Sequence, residues 1–204
     1  MNLRRVLAVL LAMMLSAYAA SAQMVKASFG VTGGGMGTMM ATDPAPTSPM
    51  YLSGYGGAFA TINYGTNLGV RIGANYAMQG GSFELSKIPL KADQAYINVP
   101  VALVYSPKSF FSLQGGFFQN ILFSSSLTEQ GKQEVVITPD EGALKYNFGV
   151  MGGLCFNFGR YVFLDLKYNY GLSNSYVIYG KGYPSSFVTV GLGFNIVSTR
   201  KTAF

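Results

Sequence analysis

The sequence predicts an all-β fold, an up-and-down antiparallel transmembrane β-barrel of about eight strands. Three observations predict it. Apolar and polar residues alternate with a period of two over most of the chain. The connections between those runs are alternately short and long. Charged residues make up only 11% of the 204 residues, against about a quarter in a soluble domain, while 50% are hydrophobic. High apolar content with low charge excludes a disordered chain. A single Cys excludes a disulfide scaffold. The absence of His closes His-based catalysis and His metal sites.

The first element is a targeting segment. Arg4 and Arg5 form a positive start, Val6 to Leu15 an uncharged apolar run, and Ala20-Ser21-Ala22 a small-residue cleavage site. This is the pattern of a secretory signal peptide over residues 1–22, leaving residues 23–204 as one barrel domain. The apolar run is too short to cross a bilayer as a helix. Two of the six net positive charges leave with the segment. The remainder is spread thinly, with no Lys/Arg run of the kind that binds nucleic acid. Further on, residues 109–128 are uncharged, but Ser, Gln and Asn side chains and the pair Gly115-Gly116 interrupt them. No transmembrane helix is expected there.

The strands follow in order. Two candidates lie at about 26–41 and 55–64. In 68–79, Leu68, Val70, Ile72, Ala74, Tyr76 and Met78 oppose Gly69, Arg71, Gly73, Asn75 and Gln79. In 95–105, Ile97, Val99, Val101, Leu103 and Tyr105 oppose Tyr96, Asn98, Pro100 and Ala102. In 110–126 the apolar side is Phe111, Leu113, Phe117, Ile121 and Phe123. In 144–158, Tyr146, Phe148, Val150, Leu154 and Phe156 oppose Lys145, Asn147, Gly149, Cys155 and Asn157. The last two runs set Val162, Leu164, Leu166, Tyr168 and Tyr170 against Asp165, Lys167 and Asn169, then Val188, Val190, Leu192, Phe194 and Ile196 against Thr189, Gly191, Gly193 and Asn195. Successive side chains of a strand point to opposite faces, so each run has one apolar face.

Short turns are expected at Tyr64-Gly65-Thr66-Asn67, Ser106-Pro107-Lys108-Ser109 and Phe158-Gly159-Arg160. Long polar loops are expected at 42–54, 84–93, 127–142 and 172–186. A soluble β-sandwich also alternates. The chain has little charge with which to solvate such a sandwich, and Tyr105, Tyr168, Tyr170 and Phe194 sit near strand ends, as an interfacial girdle requires.

Several segments resemble the PorT-like family of small outer-membrane β-barrels of Gram-negative bacteria, over about residues 24 to 197. Ile97-Asn98-Val99-Pro100-Val101-Ala102-Leu103-Val104-Tyr105 resembles that family's strand with a Pro in its middle. Asp165-Leu166-Lys167-Tyr168-Asn169-Tyr170-Gly171-Leu172 resembles its penultimate strand, and Gly69-Val70-Arg71-Ile72-Gly73 and Gly191-Leu192-Gly193-Phe194 also fit. The resemblance implies an outer-membrane barrel with lipid around it and no catalytic residues or cofactor. Some such barrels are linked to protein secretion and others are called porins, so envelope or secretion-machinery proteins are the implied partners. Barrel chains often end on an aromatic residue, and both Phe194 and Phe204 are candidates for that end.

Candidate sites follow from the alternation. Arg71, Lys145, Asp165 and Lys167 fall on the polar face of their runs, which in a barrel is the lumen. They either line a pore and tune its ion selectivity, or form an internal salt-bridge network that plugs it. An eight-stranded barrel is narrow enough for side chains to fill, which favours the plug. Gly33-Gly34-Gly35-Met36-Gly37 lacks the Lys-Ser/Thr ending of a phosphate loop and is expected in the first strand. Cys155 has no His to activate it and reads as a small interior side chain. The long loops at 127–142 and 172–186 are the contact candidates, the second through Tyr176, Tyr179 and Tyr183. The function these features support is a non-enzymatic structural or interaction role through the external loops, with a passive channel for small solutes as the alternative.

Overall fold

The computed structural model describes residues 25–40, 50–65, 67–85, 88–129, 144–178 and 181–198. The expected leader, 1–22, and Phe204 lie outside these residues. The chain forms strands β1 (Val25–Met40), β2 (Tyr51–Tyr64), β3 (Leu68–Leu85), β4 (Ile88–Lys108), β5 (Phe111–Glu129), β6 (Tyr146–Phe158), β7 (Val162–Gly171), β8 (Asn174–Ile178) and β9 (Lys181–Ser198). Each of β1 to β6 pairs antiparallel with the next, β7 pairs with β9, and β9 pairs back with β1. The sheet is thus closed into a barrel of eight staves, β1–β7 and β9. β8 pairs only with the outer end of β9, from Asn174↔Pro184 to Ile178↔Lys181. Closure removes the sheet edges that lipid cannot hydrogen-bond.

Polarity runs opposite to that of a soluble protein. Leu103, Phe117 and Phe123 point outward and are about two-thirds or more exposed, while Asn75, Asn98, Gln114, Asn120, Asn147 and Asp165 are buried in the lumen. The outward residues are the apolar members of the alternation, and the inward ones are the polar members. On β3 the apolar face runs from Leu68 to Met78. At ~3.3 Å per residue and a tilt near 40°, that stretch rises ~25 Å, the height of the apolar band of an outer-membrane barrel. Tyr64, Tyr105 and Phe194 mark one border of the band and Tyr76, Tyr168 and Tyr170 the other, all of them exposed.

The tight turns are Gly65–Asn67, Ser109–Phe110 and Gly159–Tyr161. Gly65 and Gly159 have φ of 63° and 72°, a region that L side chains rarely occupy. The second turn lies later than expected because β4 continues through Lys108. Gly33 to Gly37 fall inside β1, paired with Gly56 to Leu52 of β2. Phe194 lies within β9, which ends at Ser198.

Two expected loops are corrected. Residues 84, 85 and 88–93 are not a loop. β3 and β4 stay paired through Glu84↔Pro89 to Leu85↔Ile88. Residues 172–186 are likewise mostly strand, in the β8–β9 hairpin. The charged residues there suggest a loop, but a paired strand above the membrane needs only its backbone partners, not an apolar outer face. The ladders also run beyond the expected length, with β4–β5 paired up to Leu90↔Glu129. Pro100 has a local effect. β3–β4 pairing stops at Ile72↔Val101 and resumes at Asn75↔Asn98, because Pro100 has no N–H to give.

Candidate functional site

The lumen is crossed by a charged network. Arg71 projects inward from β3 and Asp165 from β7, the stave on the opposite side of the barrel. Arg71 Nη1 lies 3.9 Å from Asp165 Oδ2. Lys167, two residues along β7, places Nζ 2.5 Å from the same oxygen. From β5, Gln114 Nε2 donates to Asp165 Oδ1 at 2.7 Å, and Gln114 Oε1 accepts from Arg71 Nη1 at 3.5 Å. Arg71 Nε donates to Thr61 Oγ1 of its register partner on β2 at 3.0 Å. The guanidinium lies between Phe59 and Phe163, 4.8 and 5.0 Å from their ring centroids. Those rings meet edge to face at 5.3 Å. Cation–π contact of this kind strengthens where water is excluded. Cys155 is buried against the two rings, with Sγ 3.8 Å from Asn157 Oδ1. Nearer the tight turns, the Ser106 and Ser112 hydroxyls share a 2.8 Å hydrogen bond, and Asn157 Nδ2 donates to Ser112 at 3.3 Å.

A second layer is made wholly of carboxamides. Asn75, Asn98, Asn120 and Asn147 are successive register partners on β3, β4, β5 and β6. Asn75 Nδ2 donates to Asn98 Oδ1 at 3.4 Å, Asn98 Nδ2 to Asn120 Oδ1 at 2.6 Å, and Asn120 Nδ2 to Asn147 Oδ1 at 2.8 Å. Around the ladder pack Met36, Ala77, Ala102, Phe118, Met151 and Phe187, with Phe118 and Phe187 edge to face at 5.2 Å.

Further toward the long connections, Gln79, Gln94 and Ser125 are again register partners. Ser185 Oγ donates to Gln79 Oε1 at 3.4 Å and shares a 2.7 Å bond with Ser175. Among the described residues, Gln79 Nε2, both amide atoms of Gln94, Ser125 Oγ and Thr38 Oγ1 are buried and make no hydrogen bond. Just beyond, partial burial and the neighbouring Asp93 push the Tyr51 phenol up to about 12.

Two small cavities lie in the lumen among the described residues. One cavity of about 20 Å³ is bordered by Arg71, Asn75, Gln114, Asp165 and Lys167. Another of about 20 Å³ is bordered by Tyr55, Asn75, Asn98, Lys167 and Thr189. Each has room for a water or two, not for a solute.

Of the four charged residues read from the alternation, the structure brings Arg71, Asp165 and Lys167 together. Lys145 is corrected. It is exposed just before β6, with Nζ 5.7 Å from the Tyr146 ring. It has the inward parity and its carbonyl accepts from Leu122 N of β5, but it precedes the first residue of β6 and its side chain is exposed. Tyr176 and Tyr183 are register partners in the β8–β9 hairpin, and Tyr179 lies outside the described residues, as do 130–143 of the other contact loop. Sequence reading missed Gln114, Phe59 and Phe163 as members of the charged network. Gln114 was visible as a polar inward residue, but its distance from Arg71 depends on register.

The sequence profile of a family described as outer membrane protein β-barrel domain matches residues 21–177. Among solved structures, the chain is similar in fold to Ail, the attachment invasion locus protein of Yersinia pestis, at 16% identity over 84% of this chain and 99% of that chain, with a TM-score of 0.53. Neisserial surface protein A is similar at 13% identity over 83% of this chain and 99% of that one, with a TM-score of 0.56. Ail in complex with the heparin analogue sucrose octasulfate aligns at 15% identity over 84% of this chain and 99% of that chain, with a TM-score of 0.52. Comparison with curated protein sequences gives no match.

Proposed function

The chain belongs to the outer membrane protein β-barrel domain family, and on that premise we propose that it is a non-enzymatic interaction protein, anchored by a plugged barrel and working through its external end. Its place is the outer membrane. The observation that carries the reading is the contrast between lumen and rim. A network from β3 to β7 crosses the lumen, while the strands on one side run well past the apolar band. From Met78 to Leu85, β3 continues for seven residues, or ~17 Å above the band at the same tilt. A filled barrel with a raised wall is built to hold something up, not to let something through.

Charge narrows the partner. In sequence, Asp43, Glu134, Asp140 and Glu141 fall between strands that lead to this end and Glu84, Asp93 and Glu129 lie in those strands, against Lys87, Lys91, Lys132, Lys145 and Lys181. This end is mildly acidic. The sulfated sugar seen with Ail is therefore a poor guide for this chain, and an envelope or secretion-associated protein with a neutral or basic face fits better. The passive channel needs a continuous water path, and the two cavities beside the charged network are each too small to pass a solute.

Two measurements test the proposal. The mature chain is refolded in detergent and its conductance recorded in a planar bilayer, where silence from a folded barrel is expected. Reproducible ion-selective steps would move the channel reading ahead. A photo-crosslinker at Lys91, on the raised wall, should give a discrete adduct on cells that disappears when residues 131–142 are deleted. A crosslinking pattern unchanged by the deletion would remove that loop from the contact.

A further inference from the structure

Lys167 borders both cavities of the lumen, and the two differ in what surrounds them. The first has the ion pairs in its wall, with Phe59 and Phe163 beside Arg71 and Asp165. The second reaches toward the outer side, against Met36 and Phe187. Among the described residues that border it, Lys167 alone carries a charge. Its other polar neighbours are the hydroxyls of Tyr55 and Thr189 and the carboxamides of Asn75, Asn98 and Asn169. Local geometry brings the first of these together. Lys167 and Thr189 are register partners on β7 and β9. Tyr55 reaches them from β2 over Gly191 of β9, where a Cβ would meet its hydroxyl oxygen.

Three features give this cavity the chemistry of an anion site. An ammonium has three N–H donors, and the ion pair with Asp165 Oδ2 uses one of those of Lys167. The Tyr55 hydroxyl is buried and makes no hydrogen bond, so its proton is a donor in need of an acceptor. Arg71 and Lys167 share the one carboxylate of Asp165, which gives the network one positive charge more than negative. A buried charge is costly unless it is paired, and a water molecule brings no charge to pair it. Asn75 Oδ1 is an unmet acceptor and would repel an anion, but Asn75 also borders the first cavity, where a water serves it.

We propose that the cavity between Lys167, Tyr55 and Thr189 is a binding site for one small monovalent anion of halide size. The Lys167 ammonium holds it by charge and by a charge-assisted hydrogen bond, and the Tyr55 and Thr189 hydroxyls donate to it. A volume of about 20 Å³ admits a body the size of a water molecule. That suits chloride or bromide and excludes sulfate, phosphate and gluconate. Phe187, packed edge to face on Phe118 at 5.2 Å, borders the site on its outer side and limits competition from bulk water. The anion balances the excess charge of the network and ties β2, β7 and β9 together from within. The inference rests on the geometry of the lumen and not on the identity of any external partner.

Two measurements test it. Crystals of the refolded mature chain are grown in sodium bromide, and anomalous scattering at the bromine edge locates the ion. One bromide within hydrogen-bond distance of Lys167 Nζ is expected. A lumen without bromide, or bromide on the surface only, would overturn the proposal. The urea midpoint in lipid vesicles is then followed in potassium chloride and in potassium gluconate at equal ionic strength. A ligand held only by the folded state raises the folded-to-unfolded ratio about tenfold for each tenfold rise in its concentration above the dissociation constant. Chloride and bromide should give that rise and gluconate should not, so equal midpoints in the three salts would overturn the site. Lys167→Met should abolish the chloride dependence, and Tyr55→Phe should weaken chloride binding several-fold. A dependence unchanged in both variants would place the anion elsewhere and overturn the assignment. If Lys167→Met does not fold, Tyr55→Phe and the bromide position in the unaltered protein still decide the matter.

Discussion

Two zones of the same lumen are built on different terms. In the charged zone, Asp165 has three partners from three staves, its own included, and Arg71 has a hydroxyl, an amide and two ring faces. In the outer zone, Gln94 is equally buried and neither of its amide atoms makes a hydrogen bond, and Gln79 and Ser125 beside it each leave an atom unmet. Buried polar groups normally find partners, because losing water without replacement costs about 1–3 kcal/mol. The charged zone is thus self-sufficient. The outer zone is not, since among the described residues these buried amides are left without partners.

The largest effect should come from the charged zone. Asp165→Ala leaves Arg71 and Lys167 facing each other without a counter-charge, a loss of about 3–5 kcal/mol. The urea midpoint of the folded barrel in lipid vesicles reads it. Adding Lys167→Met to that variant should recover much of the loss, since the remaining cation keeps its two aromatic faces. A small effect of Asp165→Ala would mean that the lumen holds enough water to solvate the cations, and the plug would be in doubt.

The carboxamide layer lies between the two zones and should respond in between. Asn120→Ala removes one accepted and one donated bond and strands Asn98 and Asn147. The expected cost is about 1–3 kcal/mol on the same measurement. The outer zone should behave otherwise. Gln94→Leu deletes two unmet polar atoms at little change in volume, and the expected effect is within ~1 kcal/mol of zero, of either sign. If Gln94→Leu costs as much as Asn120→Ala, the comparison breaks, and Gln94 is bonded from beyond the described strands.

The fold was legible in the sequence because a barrel wall has one rule, apolar out and polar in, repeated along each stave. Arg71, Asp165 and Lys167 could be placed in the lumen from parity alone. Their meeting could not, because β3 and β7 touch only across the lumen, and the height at which each residue enters depends on the shear of the closed sheet. The same limit hid the asparagine ladder. Asn75, Asn98 and Asn147 each stood on a polar face in the sequence, but only pairing puts them on one level with Asn120. Parity also failed where the wall ends. Lys145 has inward parity and is exposed, and residues 84, 85 and 88–93 have loop-like charge and are paired strand. Both errors arise toward the outer ends of the strands, where the apolar-out rule weakens.

The smallest expected effect sharpens the comparison at its outer limit. Tyr51 stands beside Asp93 where the barrel wall leaves the apolar band, and its phenol is raised from 10.0 to about 12. A group that holds its proton more tightly when folded stabilises the fold below its unfolded value and loses that contribution as the pH rises through the folded one. Stability should therefore be flat up to about pH 10 and decline toward pH 12. Other tyrosines titrate in the same range, so the readout is the difference between the protein and Tyr51→Phe, whose decline should be shallower. The unfolding midpoint followed across that range provides it. Identical declines would mean that Tyr51 is as well solvated in the folded barrel as in the unfolded chain. The outer zone would then be open to water at the level of Asp93, and its unmet amides would be completed by solvent.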